Sequence, residues 1–179
     1  MTTSDNDILS TVKADPERGF RLLMDKYKEP VYWHIRRLVT AHADAQDATQ
    51  ETFVRVFRSI DGFRGDSSFT SWVYRIATNE ALRLLSRRNG QHTGLDTEAP
   101  AAKAIAADGY VDYSDLEAVR LQRAILSLPT KQQLAFNLRY YDELTYDEIA
   151  RITDSTAAAA KANYHVAKEK IIEYMNKND

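Results

Sequence analysis

The sequence predicts an all-α protein of two small helical domains joined by a flexible acidic linker. Apolar residues recur at helical spacing along most of the 179 residues, which include only six glycines and four prolines. Residues 16–93 carry 13 lysines and arginines against 9 acids, whereas residues 94–118 carry one lysine against six acids. We therefore divide the chain into a tail (1–15), a first domain (16–90), the linker (91–115), a second domain (116–175) and a short tail (176–179).

Composition argues against several classes of protein. The absence of cysteine excludes disulfides and thiol catalysis, and the four histidines lack paired-ligand spacing, so we expect no metal and no cofactor. Because no Ser/His/Asp pattern is visible, we do not expect an enzyme. No run of 18 apolar residues and no basic leader are present, so we expect no membrane insertion and a cytoplasmic location.

The first two helical stretches have different patterns. Residues 18–40 form one apolar stripe, and Pro30 is expected to kink or restart that helix. Residues 43–60 form two stripes, of which the core side comprises Thr49, Phe53, Val56, Phe57 and Ile60. The other face comprises Asp47, Gln50, Glu51 and Val54. That face suits docking on a basic partner helix, although a solvated surface would have the same composition.

Residues 63–88 combine a loop with a helix that begins at Phe69. Gly65 permits an unusual backbone conformation, and Asp66 and Ser67 are expected to cap the helix. Beside its apolar stripe, one edge carries Trp72, Arg75, Asn79 and Arg83. An indole, an amide and two guanidinium groups suit an unpaired nucleic-acid strand, because bases stack on aromatic rings and arginines hold phosphates. Core packing and solvation explain the same residues equally well.

The second domain has the helix order of a helix-turn-helix. One helix begins near Leu116 and stops at Pro129, and Thr130 with Gln133 is expected to form a capping box for a helix that ends near Tyr141.

A second capping box, Thr145 with Glu148, predicts a short helix over residues 146–153. A turn at Asp154 and Ser155 then leads to a long helix over residues 156–175. Two helices joined by a tight turn, the second of them long, are typical of DNA-binding helix-turn-helix domains.

Three stretches resemble the extracytoplasmic-function (group IV, sigma-70 family) sigma factors of RNA polymerase. Residues 63–88 are similar to the region 2.3–2.4 pattern FRGDSxFxxWxYRIAxNxxxxxLRR, and DAQDATQETFVRVF at 44–57 is similar to the region 2.2 signature DAEDLVQETFLRAW. Residues 127–171 resemble region 4, with its pattern LSYEEIAxxLxxSxGTVKSRxHRARxxL, without a gap. The resemblance covers both domains in the family's order.

The resemblance implies partners and site residues. The partners are core RNA polymerase, through its β′ clamp helices and β flap, promoter DNA, and an anti-sigma factor. Contacts with core polymerase are expected from Asp47, Gln50, Glu51, Val54 and Arg58. Contacts with the −10 element are expected from Phe63, Arg64, Ser67, Phe69, Trp72, Arg75, Asn79 and Arg83, with Asn79 capturing a flipped base. Contacts with the −35 element are expected from Arg139, Thr156, Lys161, Ala162, Asn163, His165 and Lys168. Candidates along the RNA-exit path are Asp108, Tyr110, Asp112, Tyr113 and Asp115.

Departures from the family pattern leave two alternatives open. Ala158, Ala159 and Ala160 replace Gly-Thr-Val, and Asn163 and Val166 replace two arginines, so duplex binding by the second domain alone should be weak. The chain could therefore be a sigma-like decoy that binds an anti-sigma factor without reading promoters, although the intact edge of Trp72 and Asn79 argues against it. A helix-turn-helix repressor is the other alternative, but it would lack the 43–60 signature.

Overall fold

The computed structural model describes residues 2–89 and 115–177, and over these residues the regular structure is entirely helical. The elements are α1 (Asp5–Ala14), α2 (Pro16–Val39), α3 (His42–Ser59), a 3-10 turn (Ile60–Gly62), α4 (Phe69–Asn89), α5 (Leu116–Leu126), α6 (Thr130–Tyr140), α7 (Tyr146–Thr153) and α8 (Ala157–Lys177). The all-α prediction is confirmed. The linker candidates Asp108, Tyr110, Asp112 and Tyr113 lie outside the described residues.

Helix α1 occupies most of the segment 1–15, which was predicted to be a tail. Ser4 and Asp7 form a reciprocal capping box at its start, and Ile8 and Val12 are buried against the next helix. Helix α1 lies so close to α2 that a Cβ atom on Gly19 would come within 2.4–2.5 Å of Val12. Two buried positions in ten residues are a short stripe, which explains why periodicity alone did not reveal this helix.

Helix α2 runs without interruption through Pro30, so a restart of the helix there is ruled out. Proline removes one backbone hydrogen bond from a helix, but buried Tyr27 and Val31 hold the chain on both sides of it. Helix α3 packs on α2 through its predicted core side, with one exception. The Phe57 side chain is 52% exposed and meets Phe20 edge to face, with ring centroids 5.2 Å apart.

Helix α4 begins after a loop in which Gly65 adopts a positive φ of 80°. The cap is Ser68, and not Asp66 or Ser67, because the Ser68 hydroxyl accepts a hydrogen bond from the Ser71 amide at 3.1 Å. The helix packs against both α2 and α3. We refer to α1–α4 as the N-terminal module and to α5–α8 as the C-terminal module.

The C-terminal module follows the predicted helix order. The capping box of Thr145 and Glu148 is confirmed, and α7 has the predicted bounds. The predicted box of Thr130 and Gln133 is wrong, because Pro129 holds the N-cap position and Thr130 is already helical. Asp154 adopts the left-handed conformation, with φ 51° and ψ 50°, and turns the chain from α7 into α8.

The two modules are packed together in this structure. One apolar cluster joins Ile35 of α2 and Val73 of α4 to Leu138 of α6 and Ile149 of α7. A second cluster lies wholly within the C-terminal module and contains Ala124, Ile125, Leu128, Phe136, Ala167 and Ile171. The C-terminal module therefore has apolar packing of its own beside the packing that it shares.

A polar cluster around Asp142 lies where the modules meet. The Tyr74 hydroxyl donates to Asp142 Oδ1 at 3.0 Å, while His34 Nδ1 and Arg37 Nη1 lie 3.8 and 3.7 Å from Oδ2. Burial raises the pKa of Asp142 to about 6 and lowers the pKa of His34, which also faces the Arg37 guanidinium, to about 3. The cluster thus places a carboxylate, a neutral imidazole and a guanidinium together with little water around them.

Replacing Gly19 with alanine should destabilise the fold by about 1–3 kcal/mol, because the added methyl group would overlap the Val12 backbone. Urea unfolding of the full chain measures this. The matched control is Gly62→Ala, since no atom lies within 4 Å of a Cβ built at that glycine. Equal stabilities of the two variants would contradict the close approach of α1 and α2.

Replacing Asp142 with asparagine keeps an oxygen that can accept the Tyr74 hydrogen bond and removes the buried charge. Because the pKa of Asp142 is raised from 3.8 to about 6, its contribution to stability is present below 3.8 and is lost as the pH rises through 6. Asp142→Asn should therefore gain stability relative to the unmodified protein, by roughly 3 kcal/mol between about pH 4 and pH 7.

Urea unfolding of both proteins across this range tests that expectation. The lowered pKa of His34 has the opposite effect, since its contribution is present above 6.5 and is lost as the pH falls toward 3. Both proteins carry His34, so its effect cancels in the difference. A difference that does not change with pH would count against a buried, ionised Asp142.

Candidate nucleic-acid interface

The helix edge predicted to bind an unpaired strand is present on α4. Asn79 is exposed, and Trp72 is half-buried in an aromatic cluster with Phe63 and Phe69. The Trp72 ring lies 5.2 Å from Phe63 and 5.5 Å from Phe69 between centroids. Phe69 itself is buried, so the ring surface that remains open to a base belongs to Phe63 and Trp72. We refer to Trp72, Arg75, Asn79 and Arg83 as the α4 edge.

Both guanidinium groups of the α4 edge contact carboxylates. Arg83 Nη1 lies 2.7 Å from Glu80 Oε1 within the same helix, and Arg75 Nη2 lies 2.8 Å from Asp154 Oδ1 of the C-terminal module. Arg64 is exposed in the loop before α4, and Ser67 is half-buried there. The positive charge predicted from the sequence is thus partly neutralised locally.

The residues predicted to contact a partner helix lie on the α3 surface around a groove of about 1410 Å³. Asp47, Gln50, Val54 and Arg58 line this groove, whose other wall comes from α2. Aromatic side chains dominate its apolar lining, which includes Phe20, Tyr32, Trp33, Phe53 and Phe57. Trp33 and Phe57 were not predicted from the sequence to be site residues. Trp33 could have been predicted as a site residue, because it is an aromatic residue that lies between the buried positions of an amphipathic helix.

Glu51 lies beside this groove, in a smaller cleft of about 320 Å³ between α3 and α4 that Asp47 also lines. Its carboxylate is 3.4 Å from Arg55, which lies 2.5 Å from Glu80. The Glu80 side chain is only 7% exposed and also holds Arg83. A chain of ion pairs therefore connects Glu51 on the acidic face of α3 to the α4 edge.

Helix α8 presents the predicted duplex-binding side chains on its outer surface. Lys161, Ala162, His165 and Lys168 are exposed, and Asn163 is half-buried. Thr156 caps the helix, since its hydroxyl accepts from the Ala159 amide at 3.1 Å.

Arg139 is placed differently from the α8 residues. It donates to the Leu144 carbonyl at 3.0 Å and lies over the Tyr146 ring at 4.8 Å. Its guanidinium group therefore stabilises the turn between α6 and α7.

The described residues form neither a metal site nor a membrane-spanning helix. Over residues 2–89 and 115–177, no group of three or more His, Asp or Glu side chains could hold a metal ion. Within the same ranges, no helix combines the length and the apolar character needed to cross a bilayer.

Comparison with known protein families matches both modules. Residues 23–91 match Sigma-70 region 2, and residues 118–171 match Sigma-70, region 4. The chain is 32% identical over 177 residues to the ECF RNA polymerase sigma-E factor of Escherichia coli strain K12, covering 94% of this chain and 92% of that protein. It is 30% identical over 176 residues to the RNA polymerase sigma-H factor of Pseudomonas aeruginosa, covering 93% and 91%.

Solved structures share the fold. CnrH in complex with the cytosolic domain of CnrY matches with a TM-score of 0.73 and 17% identity, covering 98% of this chain and 99% of that one. RpoE in complex with the anti-sigma factor NepR from Bartonella quintana matches with a TM-score of 0.65 and 19% identity, covering 88% and 96%. The two matched regions, together with the relatives that align over nearly all of their length, show that the chain belongs to the extracytoplasmic-function sigma factors of the sigma-70 family.

Proposed function

We propose that this chain binds core RNA polymerase and directs transcription initiation at particular promoters, in the cytoplasm where the polymerase works. The observation that carries this proposal is the separation of two surfaces. Every residue lining the large groove belongs to α2 or α3, whereas the α4 edge belongs to a different helix. One surface can therefore hold the polymerase while the other holds DNA.

The groove suits the β′ clamp helices of the polymerase. Trp33 and Phe57 are 39% and 52% exposed, and large rings of this kind supply much of the binding energy in protein interfaces. Asp47 and Gln50 at the rim can pair with basic and polar side chains of the partner. Glu51 would act from the adjoining cleft, where its carboxylate contacts Arg55.

The α4 edge suits DNA whose strands have separated at the −10 element. A base that has left the duplex can stack on the open ring surface of Phe63 and Trp72, and the exposed Asn79 amide can read its hydrogen-bonding edge. Arg64, Arg75 and Arg83 can hold the neighbouring phosphates. These interactions need an unpaired strand, so binding favours the open promoter over the closed one. No covalent step is assigned to the chain.

Helix α8 is proposed to read the −35 duplex in the major groove. Lys161 and Lys168 can contact phosphates, while Asn163 and His165 can reach base edges. This face of α8 has two fewer positive charges than the family pattern. Its binding to the −35 duplex must therefore depend largely on the polymerase, which holds the protein close to the DNA. Arg139 would have to release the Leu144 carbonyl before it could touch DNA.

An anti-sigma factor is a further proposed partner. RpoE of Bartonella quintana, which shares this fold, was solved in complex with the anti-sigma factor NepR. The same large groove offers an apolar surface for such a partner, which would then exclude the polymerase. A promoter-blind decoy remains the alternative function, and it would retain this groove without needing the α4 edge.

The double substitution Asp47→Lys with Glu51→Lys should weaken binding to sigma-free core polymerase at least about 30-fold, because both lysines would repel a basic partner surface. Titration of the labelled protein with core enzyme measures the affinity. The control pair, Asp147→Lys with Glu169→Lys, makes the same change of charge at exposed positions of the C-terminal module. Equal affinities of the two double variants would contradict the assignment of the acidic face.

Replacing Asn79 with alanine should reduce promoter opening by about tenfold, the usual effect of losing a well-placed base contact. Binding to core polymerase should change little, because Asn79 does not line the groove. Permanganate reactivity of unpaired thymines measures opening on a promoter selected with the unmodified protein. If Asn79→Ala reduced core binding and opening to the same extent, the amide would have no specific role with a base.

A further inference from the structure

A cluster of hydrogen bonds joins the first turn of α1 to the first turn of α4. Asp5 Oδ1 accepts hydrogen bonds from Lys26 Nζ and from the Tyr27 hydroxyl, both at 2.8 Å. The Thr70 hydroxyl lies 2.8 Å from the Tyr27 hydroxyl and 3.4 Å from Asp5 Oδ2. We refer to Asp5, Tyr27 and Thr70 as the Asp5 cluster. Its three members belong to α1, α2 and α4, so the cluster connects these helices at one point.

The hydroxyl protons of the Asp5 cluster have a clear order. Tyr27 is 3% exposed, and burial raises the pKa of its hydroxyl well above its ordinary value, so this group stays protonated. The Tyr27 hydroxyl donates to the Asp5 carboxylate, which can only accept, and Thr70 donates to Tyr27 or to Asp5. Without the Asp5 carboxylate, two hydroxyl protons would be left with one hydrogen bond between them. Asp5 is therefore the acceptor on which both hydroxyl groups depend.

The Asp5 cluster lies beneath the aromatic rings that are proposed to hold a base. The Tyr27 ring meets Phe69 edge to face, with ring centroids 5.7 Å apart. Phe69 is buried and stacks on Trp72, with 5.5 Å between centroids and 28° between the ring planes. Phe69 and Thr70 are the first two residues of α4. The orientation of the Trp72 ring thus depends, through Phe69, on a tyrosine whose hydroxyl is held by Asp5.

We infer that Asp5 is a positioning residue for the −10 element, because it holds Tyr27 and Thr70 and thereby fixes the Trp72 ring on which an unpaired base stacks. This inference rests on the proposed function of the α4 edge. Asp5 acts through the aromatic rings and does not itself bind DNA. Helix α1 supplies none of the described residues that line the large groove. It is therefore assigned to the DNA-binding part of the N-terminal module.

Two substitutions break the Asp5 cluster from different helices. Asp5→Ala removes the acceptor, while the reciprocal hydrogen bonds of Ser4 and Asp7 still cap α1. Tyr27→Phe removes the hydroxyl group alone and keeps the ring against Phe69. Both substitutions leave the residues of the α4 edge and of the large groove unaltered. An effect that the two variants share is therefore an effect of the cluster.

Two control variants separate positioning from stability and from charge. Ile8 of α1 has no exposed surface, so Ile8→Val removes one buried carbon atom and lowers stability through packing alone. Glu17→Ala removes one negative charge, as Asp5→Ala does, from a side chain that is 85% exposed and pairs with Arg21 on the surface. Neither control changes a member of the Asp5 cluster.

The first measurement follows the motion of the Trp72 ring without DNA or polymerase. The chain has two tryptophans, so Trp33→Phe leaves Trp72 as the only indole fluorophore. In this background, Asp5→Ala and Tyr27→Phe should increase the share of the Trp72 anisotropy that decays on the order of nanoseconds, the time of local side-chain rotation. Ile8→Val and Glu17→Ala should leave that share unchanged. Equal decay in all of these proteins would overturn the inference.

The second measurement compares promoter opening with binding to core polymerase, using the same substitutions with Trp33 retained. Asp5→Ala and Tyr27→Phe should each reduce permanganate reactivity of the −10 thymines about fivefold, the effect of losing one buried hydrogen bond, at unchanged affinity for core enzyme. Normal opening by both variants, or the same loss in Ile8→Val, would overturn the inference. Failure of the proposed function is distinguishable, because the unmodified protein would then neither bind core polymerase nor open a promoter, whereas the anisotropy measurement requires neither.

Discussion

The burial of one side of α4 is the constraint on which the proposed DNA-binding edge depends. Val73, Ala77 and Ala81 have no exposed surface, and they follow one another at every fourth position. Arg75, Asn79 and Arg83 come two residues after each of them, which is about 200° further around the helix. Packing of the small buried side chains against α2 and α3 therefore fixes the direction in which the amide and the two guanidinium groups point. The helix that carries this edge is therefore held in place before an unpaired strand arrives.

Ion pairs on the same helix limit how strongly its arginines can attract DNA. Arg75, Arg83 and Arg88 contact Asp154, Glu80 and Asp44, so carboxylates already satisfy three cations of α4. A DNA strand must share or displace these partners, which weakens the attraction of the free protein for nucleic acid. This agrees with a whole-chain charge of −2, and it leaves much of the affinity to the polymerase that holds the protein near the promoter. In the proposed function, polymerase binding and promoter choice are divided between two surfaces.

Local patterns allowed most of the helices to be predicted, because capping and periodicity involve residues three or four apart. The box of Thr145 and Glu148 is of this kind, and it was predicted correctly. Contacts between the modules could not be predicted, since their partners are 68 to 80 residues apart. The exposure of Phe57 was also missed, because a residue at the border of an apolar stripe is buried only if a neighbouring helix covers it. The roles assigned to individual site residues come from family resemblance and remain predictions.

The most direct test of this account is transcription by sigma-free core polymerase, with and without the purified protein, on a pool of random DNA fragments. If the α4 edge and α8 select promoters, transcripts made with the protein should start at defined positions, and the transcribed fragments should share one sequence upstream of those starts at −10 and another at −35. The same starts with and without the protein, or fragments with no shared sequence, would contradict the account.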